Sequence, residues 1–134
     1  MEKLGELICV ARKAARNSYS PYSSYPVGAA MLTSDGKIFT GCNVENASYG
    51  LTNCAERTAV FKAVSEGKRK FIALAIVGGS AENPATPCGA CRQVLTEFCS
   101  PDMPVICSGL EGDKTLEFTV GELLPHSFLF EKYQ

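Results

Sequence analysis

The chain has no surplus of basic residues: its 134 residues hold 13 Lys and Arg against 14 Asp and Glu, for a formal net charge of −1. It therefore lacks the positive field that neutralises phosphates and supplies non-specific affinity for nucleic acid. The one contiguous basic run, Lys68-Arg69-Lys70 after Gly67, reads as a solvated helix end, since polynucleotide binding uses a longer stripe. No window reaches the roughly 18 apolar residues of a membrane span, and the opening MEKLGELICVARKAARNSYS has no long apolar segment of an export signal. Seven cysteines are an odd and sparse count for a disulfide scaffold. They fit reduced thiols in a cytoplasmic protein better. Low-complexity tracts and internal repeats are missing too. With 46% apolar and 20% charged residues, the expectation is a single domain over residues 1–134, able to bury a core without cross-links.

Periodicity supplies the elements. Leu4, Leu7, Ile8, Ala11, Ala14 and Ala15 recur at helical spacing, predicting an amphipathic helix from Glu2 to about Tyr19 that Pro21 stops. Val27–Thr33 and Lys37–Asn43 are β-prone runs joined through Asp35-Gly36, a hairpin signal. A second helix is expected over Cys54–Glu66, with Asn53 as N-cap and Gly67 at its stop. Phe71–Val77 is almost continuously apolar, as a central strand covered on both faces would be. Pro87 introduces a third helix over about Cys88–Cys99; Val105–Cys107 and Leu116–Val120 are short strand candidates before a helical turn ending at Pro125. The order predicts an α/β fold, a three-layer α/β/α sandwich around a mixed sheet of about five strands.

The most informative residues are Cys54-Ala55-Glu56 and, 34 positions on, Pro87-Cys88-Gly89-Ala90-Cys91. Both sets open predicted helices, where free N–H groups and the positive end of the helix dipole favour thiolates. Cys54, Cys88 and Cys91 would give Zn²⁺ three sulfurs and leave a fourth position open, the arrangement of a catalytic site. Solvent there ionises near neutrality, and Glu56 is placed to move protons beside it. Three thiolates make the site formally one charge more negative than a site with one histidine and two cysteines. A unit charge at about 4 Å and an effective dielectric of about 20 is worth on the order of 4 kcal/mol, or roughly three pKa units. Helix dipoles at about 0.3–1 kcal/mol each do not close that gap. Arg57 is the nearest compensating cation, and its guanidinium is expected to donate to one or two of the sulfurs.

Cys54-Ala-Glu-Arg-Thr-Ala59 and Pro87-Cys-Gly-Ala-Cys-Arg-Gln-Val94 resemble the zinc signature of cytidine deaminases, in the variant where cysteine replaces the histidine of H-x-E…P-C-x-x-C. Ser20-Pro-Tyr-Ser-Ser-Tyr-Pro-Val-Gly-Ala-Ala30, Gly41-Cys-Asn-Val-Glu-Asn-Ala47, and Leu123-Leu-Pro125 with Phe128 are similar to that family's other blocks. The resemblance covers nearly the whole chain and is far more specific than any one motif. It implies a small homotetrameric enzyme with one Zn²⁺ per subunit, converting cytidine and deoxycytidine to uridine and deoxyuridine in pyrimidine salvage. It further implies that Asn43 and Glu45 hold the ribose hydroxyls, that the backbone at Ala55 meets the pyrimidine edge, and that Tyr25 packs on the base. Tyr49 and Phe128 would reach a neighbouring subunit's site. Tyr25 departs from the phenylalanine common in that family, and its extra hydroxyl needs a partner or water.

Competing readings differ in what they require. Pro-Cys-Gly-Ala-Cys at a helix start resembles a thioredoxin-type redox pair, against which stand Cys54-Ala-Glu and the absence of Trp beside the motif. A structural zinc site needs a fourth ligand from Cys9, Cys42, Cys99, Cys107 or His126, none of which has C-x-x-C spacing to a partner. Among enzymes the alternative is deamination of another cytosine nucleoside, such as a nucleoside antibiotic, and outside enzymes a zinc-binding interaction module.

Overall fold

The computed structural model describes residues 2–130. Helix α1 (Glu2–Ala15) is followed by strands β1 (Val27–Thr33) and β2 (Ile38–Cys42), helix α2 (Ala55–Ser65), strand β3 (Phe71–Gly78) and helix α3 (Gly89–Phe98). Strands β4 (Pro104–Ser108) and β5 (Thr115–Thr119) and the short α4 (Val120–Leu123) complete the order. The strands form one sheet in the order β2-β1-β3-β4-β5, with β3 at its centre. The β3–β4 pair is parallel and the other three are antiparallel, so the sheet is mixed and α3 is the crossover of its parallel step.

Alternation along the central strands gives the layers. Ala29, Met31, Leu74 and Ile76 pack with Ala55, Ala59, Val60 and Leu95 of α2 and α3. Ala30, Leu32, Ala73, Ala75 and Val77 face the other way, onto Leu4, Leu7, Ile8 and Ala11 of α1. Both faces of β3 are thus covered, which is why its sequence is apolar at nearly every position. The three-layer α/β/α expectation holds. Among the described residues, no helix is long and apolar enough to cross a membrane.

Two glycines set the layer spacing. A Cβ on Gly28 would lie 2.0 Å from the Ala11 carbonyl oxygen of α1, and one on Gly41 would lie 2.4 Å from the Ala55 carbonyl oxygen of α2. Their missing side chains let each helix backbone sit directly on the sheet. The Gly41 contact matters most, since Ala55 lies between Cys54 and Glu56.

Several element ends shift by a residue or more from the sequence reading, and three of the differences have an identifiable cause. Helix α1 ends at Ala15 rather than near Tyr19, because Tyr19 bridges Val44 and its N–H donates to the Asn43 carbonyl at 3.0 Å. Cys54, not Asn53, is the N-cap of α2, and its side chain makes no capping bond. Asn53 instead bridges Val44 and donates from Nδ2 to Thr58 Oγ1 at 3.0 Å. The hairpin strand begins at Ile38, one residue late, because Lys37 belongs to the turn in which its carbonyl accepts from Thr33 N–H at 2.9 Å.

Candidate active site

The site lies where the first turns of α2 and α3 approach each other. Cys54 caps α2 and Cys88 caps α3, both in extended backbone, and Cys91 sits inside the first turn of α3. Their sulfurs lie within 4.8 Å of one another, and no fourth Cys, His, Asp or Glu belongs to this group among the described residues. Cys54 and Cys88 Sγ stand 3.7 Å apart. Two sulfurs on a tetrahedral zinc, each with a bond of about 2.3 Å, would be separated by about 3.8 Å. The donor set and its spacing therefore fit Zn²⁺ with one position left open, and the structural reading finds no fourth donor in this group among the described residues. Burial is graded across the group: Cys91 is buried, Cys54 is half-buried and Cys88 is exposed.

Electrostatics follow from that crowding. Cys54 is drawn down to about 5, chiefly because Cys91 donates to its sulfur, with Arg57 and Cys88 adding to the effect. Cys91 moves the opposite way, since its proton is the one held by Cys54 and its surroundings are buried. Arg57 Nη2 donates to Cys54 Sγ at 3.3 Å. Its guanidinium reaches Cys91 as well, while its Nε is buried with no partner among the described residues. The cation expected from the charge arithmetic is thus held against the sulfurs, one helical turn from Cys54.

Glu56 is 4% exposed. Burial pushes its carboxyl up to about 7, and the neighbouring Cys54 charge adds to the rise, while its own backbone N–H and Arg57 oppose it. A buried carboxyl held near neutrality can both take and give a proton. Ala55, also buried, opens α2, where the helix leaves backbone N–H groups without intrahelical partners.

The remaining sequence-chosen residues fall into two groups. Asn43, Glu45 and Tyr25 are tied into one loop. Asn43 Oδ1 accepts from Val27 N–H at 2.9 Å and from the Ser18 hydroxyl, while its Nδ2 donates to the Tyr25 carbonyl at 2.9 Å. These bonds fix the amide orientation and use one of its two N–H groups. Glu45 lines a pocket of about 360 Å³ with Tyr22, Ser23, Tyr49 and Thr52, where the Tyr22 and Tyr49 rings meet edge to face at 5.9 Å. Tyr25 is 45% exposed, and its hydroxyl lies against Gly79, where a Cβ would come within 2.9 Å of it. Tyr49 and Phe128 are 74% and 56% exposed, with the Phe128 carbonyl tied to Gln93 Nε2 of α3 at 3.1 Å.

Sequence reasoning assigned no part to Ser18, Ser23 or Arg92. Arg92 donates from Nε to the Pro87 carbonyl at 2.7 Å and from Nη1 to the Leu123 carbonyl at 2.9 Å, tying the approach to Cys88 to α4. Its place directly after Cys91 was the available signal.

Comparison with known proteins agrees with this geometry. Residues 1–107 match the model of the cytidine and deoxycytidylate deaminase zinc-binding region. The chain is 56% identical to a cytidine deaminase of Sporosarcina psychrophila over 92% of this chain and 89% of that one. It is 54% identical to a cytidine deaminase of Halalkalibacterium halodurans over 93% of both. The crystal structure of cytidine deaminase from Burkholderia pseudomallei superposes with a TM-score of 0.88 at 50% identity, covering 92% of this chain and 98% of that chain. That from Mycobacterium tuberculosis does so with a TM-score of 0.81 at 42% identity, covering 94% and 97%. A three-sulfur zinc site at two helix starts, a buried glutamate beside it and a match of this extent together place the chain in the cytidine deaminase family.

Proposed function

We propose that this chain is a zinc-dependent deaminase that hydrolyses cytidine and deoxycytidine to uridine and deoxyuridine with release of ammonia, in pyrimidine salvage. One observation carries the reading: the buried Glu56 carboxyl lies two residues from a sulfur of a cluster that fits zinc with an open position. Bound to Cys54, Cys88 and Cys91, Zn²⁺ supplies Lewis acidity that makes solvent at the open position acidic near neutrality.

Glu56 then serves as the single acid and base. Its carboxylate takes a proton from the attacking water and delivers it to N3 of the pyrimidine as oxygen adds to C4. It then takes the second proton, from the new C4 hydroxyl, and gives it to the amino nitrogen as the C4–N bond breaks, leaving the C4 carbonyl and ammonia. The Ala55 backbone at the start of α2 holds the pyrimidine edge, and the Tyr25 ring packs on the base. Asn43 offers its remaining amide hydrogen, and Glu45 its carboxylate, to the sugar hydroxyls. Arg57 offsets the charge of three thiolates by donating to Cys54.

The enzyme acts as one domain in the cytoplasm, on a free nucleoside rather than a polynucleotide or a membrane. Exposed Tyr49, Leu51, Phe128 and Phe130 are apolar surface of the kind that self-association covers, and this supports a homotetramer in which Tyr49 and Phe128 complete a neighbour's site. The purified protein incubated with cytidine should give the absorbance change of conversion to uridine, with about one zinc per chain in the same sample. Zinc without turnover would leave only a binding module, and turnover without zinc would remove the metal from the reaction.

A further inference from the structure

The loop at residues 20–25 holds Glu45 in an unusually complete way. Glu45 Oε1 accepts from two backbone N–H groups, Tyr22 at 3.0 Å and Ser23 at 3.2 Å. Both bonds end on one oxygen, so they act as a pivot and leave the carboxylate plane free to turn about it. The third bond comes from the Ser23 hydroxyl, which meets Glu45 Oε2.

The direction of that bond is fixed by its neighbours. Tyr25 N–H donates to Ser23 Oγ at 3.1 Å. A hydroxyl has one hydrogen, and an ionised carboxylate can only accept, so the Ser23 hydrogen goes to Oε2. The Tyr25 N–H is brought back over the hydroxyl by Ser24, which takes the left-handed φ of 55° and donates to the Ser20 carbonyl at 2.9 Å. Non-glycine residues adopt that conformation rarely, so the turn is a built feature. The same bonds hold the Glu45 carboxyl below its ordinary range, with Ser23 as the first cause. It stays ionised at neutral pH.

We propose that Ser23 is a positioning residue for substrate recognition, its hydroxyl fixing the plane of the Glu45 carboxylate so that Oε2 faces a sugar hydroxyl. This depends on the reading that Glu45 binds the sugar. Without the Ser23 hydroxyl, Oε1 would remain pinned by the backbone while Oε2 turned away, so the sugar contact would weaken and the chemistry at C4 would not. Ser23 is exposed and makes no contribution to the core, so its replacement leaves the core intact, and the Ser24 N–H bond to the Ser20 carbonyl still closes the turn before Tyr25.

The test compares two substrates across three variants of the zinc-loaded enzyme. Cytidine carries hydroxyls at C2′ and C3′, the sugar hydroxyls assigned to Oε2, whereas 2′,3′-dideoxycytidine lacks both and keeps only the 5′-hydroxyl. Ser23→Ala should raise KM for cytidine on the order of tenfold, the effect of one charge-assisted hydrogen bond, with kcat within about twofold. With dideoxycytidine its KM should match that of the unmodified enzyme, and Ser23→Thr, which keeps the hydroxyl, should restore the cytidine KM. An equal loss on both nucleosides, or no change with either, overturns the proposal. Glu45→Gln separates the premise from the inference. If its loss is equal on the two nucleosides, the sugar role of Glu45 is wrong; if Glu45→Gln is selective for cytidine and Ser23→Ala is not, the positioning role of Ser23 alone is wrong.

Discussion

Gly41 in β2 lies against the Ala55 carbonyl of α2 so closely that a Cβ at Gly41 would stand 2.4 Å from that oxygen and 2.5 Å from Ala59 N. Both contacts are backbone, which cannot swing aside as the tip of a side chain can. An added methyl must push the start of α2 off the sheet, and that start carries Cys54 and Glu56. Gly41→Ala should therefore cost about 1–3 kcal/mol of stability, the usual range for overpacking, and lower zinc retention at the same time. Gly5, where a Cβ would meet nothing within 4 Å, is the control: inside helix α1, Gly5→Ala should raise stability by about 0.5–1 kcal/mol and leave zinc retention unchanged. Denaturant midpoints and zinc content of the two variants check this.

Arg57 tests the charge balance. Its Nη2 donates to Cys54 Sγ at 3.3 Å, so its removal leaves three thiolates with no cation beside them. Arg57→Gln should fold and lose roughly 10–100-fold in zinc affinity or in turnover, the cost of losing a group that supports metal ligands. Chelator competition and steady-state rates on one preparation measure both. Unchanged values in the two assays would show that the helix starts alone balance the charge.

How far the sequence reveals the molecule depends on how local each cause is. Strands β1 and β3 were readable because their burial pattern is written in consecutive residues, and the thiols because two short motifs each open a helix. Arg57 was readable since three residues along a helix bring its side chain back over Cys54. The end of α1 was not. Apolar spacing alone does not show that Tyr19 pairs with Val44, a residue that arrives only after the hairpin has formed. Asn53 looked like a cap by residue type, yet its backbone was already taken by the same Val44. Ser23 and Glu45 are 22 positions apart, and only the folded loop, whose Tyr22 and Ser23 N–H groups bond Glu45 Oε1, brings the hydroxyl to the carboxylate.

Glu56→Gln separates metal binding from catalysis. The sulfurs form their group without the Glu56 carboxylate, so the variant should retain zinc. The amide cannot accept and return a proton, and losing the general acid and base removes about 10²–10⁴-fold in rate. Residual turnover should fall below about one per cent, while a nucleoside product analogue still binds. A variant keeping a tenth of the rate would require another proton carrier.

The cysteines outside the cluster give a prediction at alkaline pH. Burial pushes the Cys99 and Cys107 thiols up to about 12, whereas an unfolded cysteine ionises near 8.5. Below about pH 8.5 both states keep the proton, and the stabilising contribution of the neutral buried thiols is complete. As pH rises beyond that value the unfolded chain loses its protons first, so the contribution declines up to about 12, where the folded thiols ionise as well. The melting temperature should accordingly fall more steeply between about pH 9 and 11 than in a Cys99→Ala/Cys107→Ala variant, which starts lower but has no such thiols to ionise. Thiol labelling at pH 8 should follow the same burial. Exposed Cys9 should react at once, and Cys99 and Cys107 only at the rate at which the protein unfolds. Prompt labelling of either buried thiol would mean that the sheet face beneath α3 opens far more readily than its packing implies.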